Sequence, residues 1–261
     1  MATDTRSDGR PLLACESVTK TYGGLVAVKQ VSFAVQRGEI FAVVGPNGAG
    51  KTTLFEVVSG FSRATSGTVF FDGQDIHRLT GDRVCRLGLS RTFQTTTNFR
   101  SQTVFANAMA ASLFGRGRNI LTLSYDREAV ERALRALDFC GLAGSADRAV
   151  SQLSTFEQKR LMLATALATE PRLLLLDEPV GGLNAAEREG LISLIRDINA
   201  SGVCILMIEH VMKAVQALAD RMLVLDHGEK IVEGDPDSVL RDPRVGEVYL
   251  GSLAGGAHAG G

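Results

Sequence analysis

Nowhere among the 261 residues do two cysteines stand as a Cys-x-x-Cys pair. Cys15, Cys85, Cys140 and Cys204 are scattered without metal-ligand spacing, which argues against a zinc site or a disulfide framework and predicts four reduced thiols serving as filler. Long apolar runs are missing too: segments such as 173–176 and 203–208 fall far short of the roughly 20 residues that cross a bilayer. The first ten residues are polar and lack the apolar stretch of a signal peptide, so neither export nor membrane insertion is expected. Charge of one sign is not in excess. The 28 Lys and Arg against 29 Asp and Glu leave a net charge of -1, so bulk electrostatics point to no nucleic-acid partner.

What is present is ordinary globular material, 45% hydrophobic and 22% charged, enough for one large α/β domain or two modest ones. Residues 1–10 and the Gly/Ala tail 252–261 have little to bury and are expected to fray or be disordered. Segments 12–18, 27–35, 40–44 and 67–71 are rich in apolar and β-branched residues and predict strands, the last meeting an Asp72-Gly73 turn signal. Between about 97 and 167 the signal turns helical. Val130, Ala133, Leu134, Leu137 and Cys140 follow the i, i+3, i+4, i+7 spacing, which places them on one face. From 173 onward, strands (173–176, 203–208, 222–225) alternate with helices (about 185–199 and 211–219). That alternation predicts a parallel sheet covered by helices, with active groups at the carboxyl ends of strands.

The run Gly45-Pro46-Asn47-Gly48-Ala49-Gly50-Lys51-Thr52 fits the phosphate-loop template and sits between a strand and the helical segment that starts near Thr53. Glycines let main-chain amides converge on phosphate oxygens, and the helix N-terminus adds positive potential. Lys51 can reach the β and γ phosphates, and the Thr52 hydroxyl can ligate Mg2+. The motif by itself does not separate a kinase from a GTPase or a transport ATPase. A second pattern narrows the chemistry: the apolar run 173–176 ends in Asp177-Glu178. The first carboxylate can hold magnesium and the second can orient an attacking water. Ser154-x-x-Glu157 reads as a capping box opening a helix through Leu161, Ala164 and Leu167.

Taken in order, these motifs resemble the ATP-binding subunits of ABC transporters over nearly all of residues 11–251. Tyr22 stands where an aromatic stacks on adenine, Gln94 where the family's Q-loop glutamine lies, Leu153–Gln158 at the signature, Gly182-Leu-Asn184 at the D-loop and His210 at the switch histidine. The resemblance implies a phosphate-loop ATPase fold with a RecA-like core, an antiparallel β subdomain and an inserted α-helical subdomain at about 97–167. It implies ATP and Mg2+ bound through Tyr22, residues 45–53 and, from the opposite subunit, Ser154, Phe156 and Glu157. Thr52, Gln94 and Asp177 would serve the metal, and Lys51, Gln94, Glu178 and His210 would serve catalysis. Thr155, Phe156 and Glu157 replace the usual Gly-Gly-Gln of the signature.

Within the family, Gly23–Val28, Ser90–Gln94, Ile208–Lys213 and Glu247–Gly251 are most similar to subunits that take up branched-chain amino acids, a group that also imports urea, amides and aromatic acids. That likeness implies a second ATPase subunit (the same or different), membrane permease subunits docked on 95–105, indirectly a solute-binding protein, and a cytoplasmic place on the inner membrane face. The alternative is an ABC ATPase that transports nothing, such as a cluster-assembly subunit.

Overall fold

The computed structural model describes residues 9–92, 99–115 and 127–255. In chain order the elements are β1 (Leu13–Tyr22), β2 (Leu25–Val35), β3 (Ile40–Val44), α1 (Lys51–Val58), β4 (Ser66–Phe71), β5 (Gln74–Asp75), α2 (Gly81–Arg86) and β6 (Leu89–Arg91). They continue with α3 (Val104–Phe114), α4 (Arg127–Phe139), α5 (Thr155–Leu167), β7 (Leu173–Asp177), α6 (Ala185–Ala200) and β8 (Cys204–Ile208). The last are α7 (Met212–Leu218), β9 (Arg221–Asp226), β10 (Glu229–Gly234), α8 (Pro236–Leu240) and α9 (Pro243–Gly255). Two compact units result, one formed by residues up to Thr80 and from Cys204 onward, the other by Gly81–Val203.

The first unit holds an antiparallel sheet in the order β2-β1-β4-β5, with Leu13 opposite both Val35 and Phe71. It also holds the run β10-β9-β3-β8, in which β3 is parallel to both β8 and β9. Every residue of β3 and β8 is buried. Strands covered on both faces lose the alternation of half-buried strands and read as continuous apolar stretches, which is why 40–44 and 203–208 stood out in the sequence. Arg221 laces the sheet's start: its guanidinium lies 5.1 Å from the Phe41 ring, donates to Glu39 Oε1 at 2.9 Å and also pairs with Glu233.

In the second unit β6 and β7 pair in parallel, with Arg91 opposite Leu175. Helices α3, α4 and α5 pack on one another. The face of α4 differs from the one expected. Its buried stripe is Ala129, Arg132, Ala133, Ala136 and Leu137, followed by Cys140, while Leu134 is 46% exposed. The stripe is rotated because Arg132 turns inward, where its Nε donates to Ser112 Oγ at 3.1 Å. A paired polar group can thus occupy a core position that a purely apolar count assigns elsewhere.

All four cysteines are free, with Cys15, Cys140 and Cys204 buried and Cys85 half-buried. Burial pushes the Cys140 thiol up to about 12, so it is an inert thiol at neutral pH. Helix α9 runs to Gly255, and 256–261 of the tail expected to fray lie outside the described residues.

Candidate functional site

The loop Gly45–Gly50 joins β3 to α1, so its amides lie at the carboxyl end of a buried strand and the amino end of a helix. No side chain caps α1, whose N-cap is Gly50 in the left-handed region. A helix N-terminus without a side-chain cap is a place where anions bind. A side chain at Gly45 would place its Cβ 2.0 Å from the Leu225 carbonyl oxygen, and one at Gly50 would sit 2.2 Å from that of Ala27. These contacts give the glycines a steric reason beyond their dihedrals. Lys51 is 8% exposed and its Nζ donates to the carbonyls of Gly45 and Pro46, each at 2.8 Å. The cation thus spans the loop from within, while Thr52 is exposed and Thr53 half-buried at the helix start.

Gly50→Ala should lower stability by at least about 1–3 kcal/mol through the backbone strain alone. Gly48→Ala, whose added methyl would meet nothing within 4 Å, should cost less. Urea melts of the two variants check the order.

Three further groups in this unit surround the loop's strand and helix. Val43 pairs with Ile208, so the loop and His210 both leave the same end of neighbouring parallel strands, each two residues past that pair. His210 is exposed. It is preceded by Glu209, 0% exposed, whose Oε2 accepts from the His210 amide at 3.0 Å and the Val211 amide at 3.2 Å. Tyr22, at the end of β1, is 45% exposed and donates to Glu56 Oε2 on α1 at 3.4 Å. Lys20 Nζ lies over its ring, 4.7 Å from the centroid.

The second unit carries the carboxylates and the signature segment. Asp177 closes β7 at 3% exposure, with Arg91 Nη2 3.3 Å from its Oδ2. Glu178 follows with φ 49°, a left-handed backbone that costs a non-glycine residue about 1–2 kcal/mol. Gln94 lies outside the described residues. Ser154 caps α5: its side chain accepts from the Glu157 amide at 3.2 Å and Glu157 Oε2 accepts from the Ser154 amide at 2.8 Å, the reciprocal box the sequence predicts. That amide bond, and then Arg148 at 2.8 Å, hold the Glu157 carboxyl below its usual range. Phe156 is half-buried, with its ring against Gly190 and Arg160 5.2 Å above it. Asn184 caps α6 with a second box, shared with Glu187.

The sequence pattern of the ABC transporter family matches residues 28–181. The chain belongs to the ABC transporter family. It is 36% identical over 251 residues to the high-affinity branched-chain amino acid transport ATP-binding protein BraF of Pseudomonas aeruginosa, covering 93% of this chain and 98% of that one. It is 38% identical to the corresponding protein LivG of Escherichia coli over the same shares. Among solved structures, an ATP-binding cassette of an ABC transporter in its ADP conformation superposes with a TM-score of 0.85 at 31% identity, covering 93% of this chain and 99% of that one. A dimeric ATP-binding cassette bound to ADP and Pi matches with a TM-score of 0.75 at 25% identity, covering 86% and 98%. The fold is that of ABC ATP-binding cassettes, as the motif order implied.

Within this family frame, some residues escaped the sequence reading. Arg91, Lys159 and Glu209 each touch a motif residue. Only Glu209 had a sequence signal, a charged residue directly after an otherwise apolar strand. Asn107 is another: 4% exposed, it accepts from the Phe99 amide at 2.7 Å and donates to the carbonyls of Phe99 and Thr103 at 3.2 and 2.8 Å. It fixes the loop on which Phe99 stands 63% exposed, within the segment 95–105 expected to dock a permease, of which 95–98 lie outside the described residues.

Proposed function

We propose that this chain is the ATP-hydrolysing subunit that drives an importer for branched-chain amino acids or related small solutes, as a dimer with a second ATP-binding subunit on the inner face of the cell membrane. The carrying observation is that relatives so named align along 93% of the chain while the phosphate loop keeps its lysine, its glycines and its clear helix N-terminus. Those names do not favour the cluster-assembly alternative. Among the described residues no helix is long and apolar enough to cross a membrane, so contact with the bilayer would run through permease subunits. Phe99 on its clamped loop supports that docking.

In this reading the loop 45–53, through its main-chain amides other than at Pro46, and the Lys51 ammonium grip the phosphates, and Tyr22 stacks on the adenine. The residues fit magnesium by their chemistry: Thr52 offers a hydroxyl and Asp177 a buried carboxylate already facing a cation, both hard oxygen donors. Among the described residues no cluster of three or more His, Cys, Asp or Glu is present, nor is one needed by an ion that keeps waters and phosphate oxygens as ligands. When bound, the ion would neutralise charge on the β and γ phosphates. Glu178 takes a proton from the attacking water, His210 and Gln94 hold the γ-phosphate and water in line, and the capped N-terminus of α5 meets the nucleotide of the opposite subunit. Arg148 offsets the Glu157 charge that would otherwise repel that phosphate. A solute-binding protein would select the solute upstream.

Affinity capture of the tagged full chain from detergent-solubilised membranes tests the assignment. Integral permease subunits should co-purify. Capture of soluble scaffold proteins without any permease would contradict it.

A further inference from the structure

The signature helix and the catalytic carboxylate are joined inside one subunit by a contact that no motif records. Lys159 lies one turn into α5, and its Nζ donates to the main-chain carbonyl of Glu178 at 3.1 Å. That carbonyl belongs to the residue whose φ is 49°, a conformation that a non-glycine residue keeps only where its surroundings hold it. The Gly181 amide also donates to it, at a longer 3.3 Å, as part of the local turn. The ammonium bond is charge-assisted and comes from a separate, rigid helix. That helix is itself seated on α6, where Phe156 packs against Gly190, and its start is fixed by the Ser154–Glu157 box.

We propose that Lys159 is a positioning residue for Glu178: by holding the Glu178 carbonyl it fixes the peptide from which the carboxylate projects and fastens that peptide to the helix carrying the signature segment. This rests on the reading of Glu178 as the base. The side chain of a left-handed residue leaves the main chain in a different direction from that of an extended one. Loss of the tether therefore moves the carboxylate away from the water it activates without touching the phosphate loop. Nucleotide affinity and turnover should separate.

The test uses the full chain with MgATP, measuring nucleotide affinity and turnover for Lys159→Met, Lys159→Arg, Glu178→Gln and the double variant Lys159→Met/Glu178→Gln. Lys159→Met should lower kcat about 10- to 100-fold, the scale of a misplaced catalytic group, with ATP affinity within about threefold of the parent. Lys159→Arg, which can still reach the carbonyl, should restore kcat to within about threefold. In the Glu178→Gln background the Lys159→Met change should cost less than about twofold more, because a residue acting through Glu178 has nothing left to position. Thermal midpoints are recorded throughout, and Lys159→Leu, which also lacks a donor, replaces the methionine variant if that one does not fold. Parental kcat in Lys159→Met, equal impairment in the arginine variant, or an undiminished loss in the Glu178→Gln background would each overturn the proposal. Parental turnover in Glu178→Gln alone would instead remove the base assignment on which it stands.

Discussion

Glu178→Gln is expected to bind ATP as the parent does while its turnover falls about 100- to 10,000-fold, the range that general-base catalysis supplies. The substitution keeps size and shape and removes only the ability to take a proton. It also leaves the main-chain contacts of residue 178 with Lys159 and Gly181 in place. Because hydrolysis is what reopens a nucleotide-bound dimer in this account, the variant should accumulate as an ATP-loaded dimer. Size-exclusion chromatography in MgATP, run beside a phosphate-release assay, reads both effects. Unchanged phosphate release would take Glu178 out of the chemistry.

The second large effect falls on binding. Lys51→Met should weaken ATP affinity by at least about tenfold, since a charge-assisted hydrogen bond contributes about 1.5–3 kcal/mol. Lys51 Nζ bonds to the Gly45 and Pro46 carbonyls, each at 2.8 Å, so the same variant also loses two contacts that brace the loop. A thermal melt without nucleotide separates the two losses. A drop in affinity larger than the melt explains belongs to the phosphates. Parental affinity would show that the loop holds no triphosphate through this side chain.

The parts of this molecule legible in the sequence are those whose requirements are local. The phosphate loop declares itself because each glycine, the lysine and the threonine serve the few residues around them. The Ser154–Glu157 box works across three positions and forms as its spacing predicts. Strands β3, β7 and β8 were evident because burial on both faces writes them as unbroken apolar runs.

What stayed hidden depends on distant partners. Arg91 meets Asp177 across 86 positions and Lys159 meets Glu178 across 19, and no periodicity marks either. The face of α4 was misplaced for the same reason, because the pairing of Arg132 with Ser112, 20 positions away, decides which side turns inward. The elements β5, α2 and β6, of two, six and three residues, are too short to leave a periodic pattern. The edge strand β10 is exposed or half-buried along its whole length, so it lacked the apolar run that marked its neighbours.

The central claim, that this chain grips the triphosphate of ATP through its Gly45–Lys51 loop, is tested most directly by isothermal titration calorimetry of the folded full chain with ATP and magnesium. The account predicts saturable binding with a dissociation constant between about 1 μM and 1 mM, the usual range for such substrates, and clear weakening in Lys51→Met. No detectable binding at millimolar nucleotide, in a sample that melts cooperatively, would contradict it.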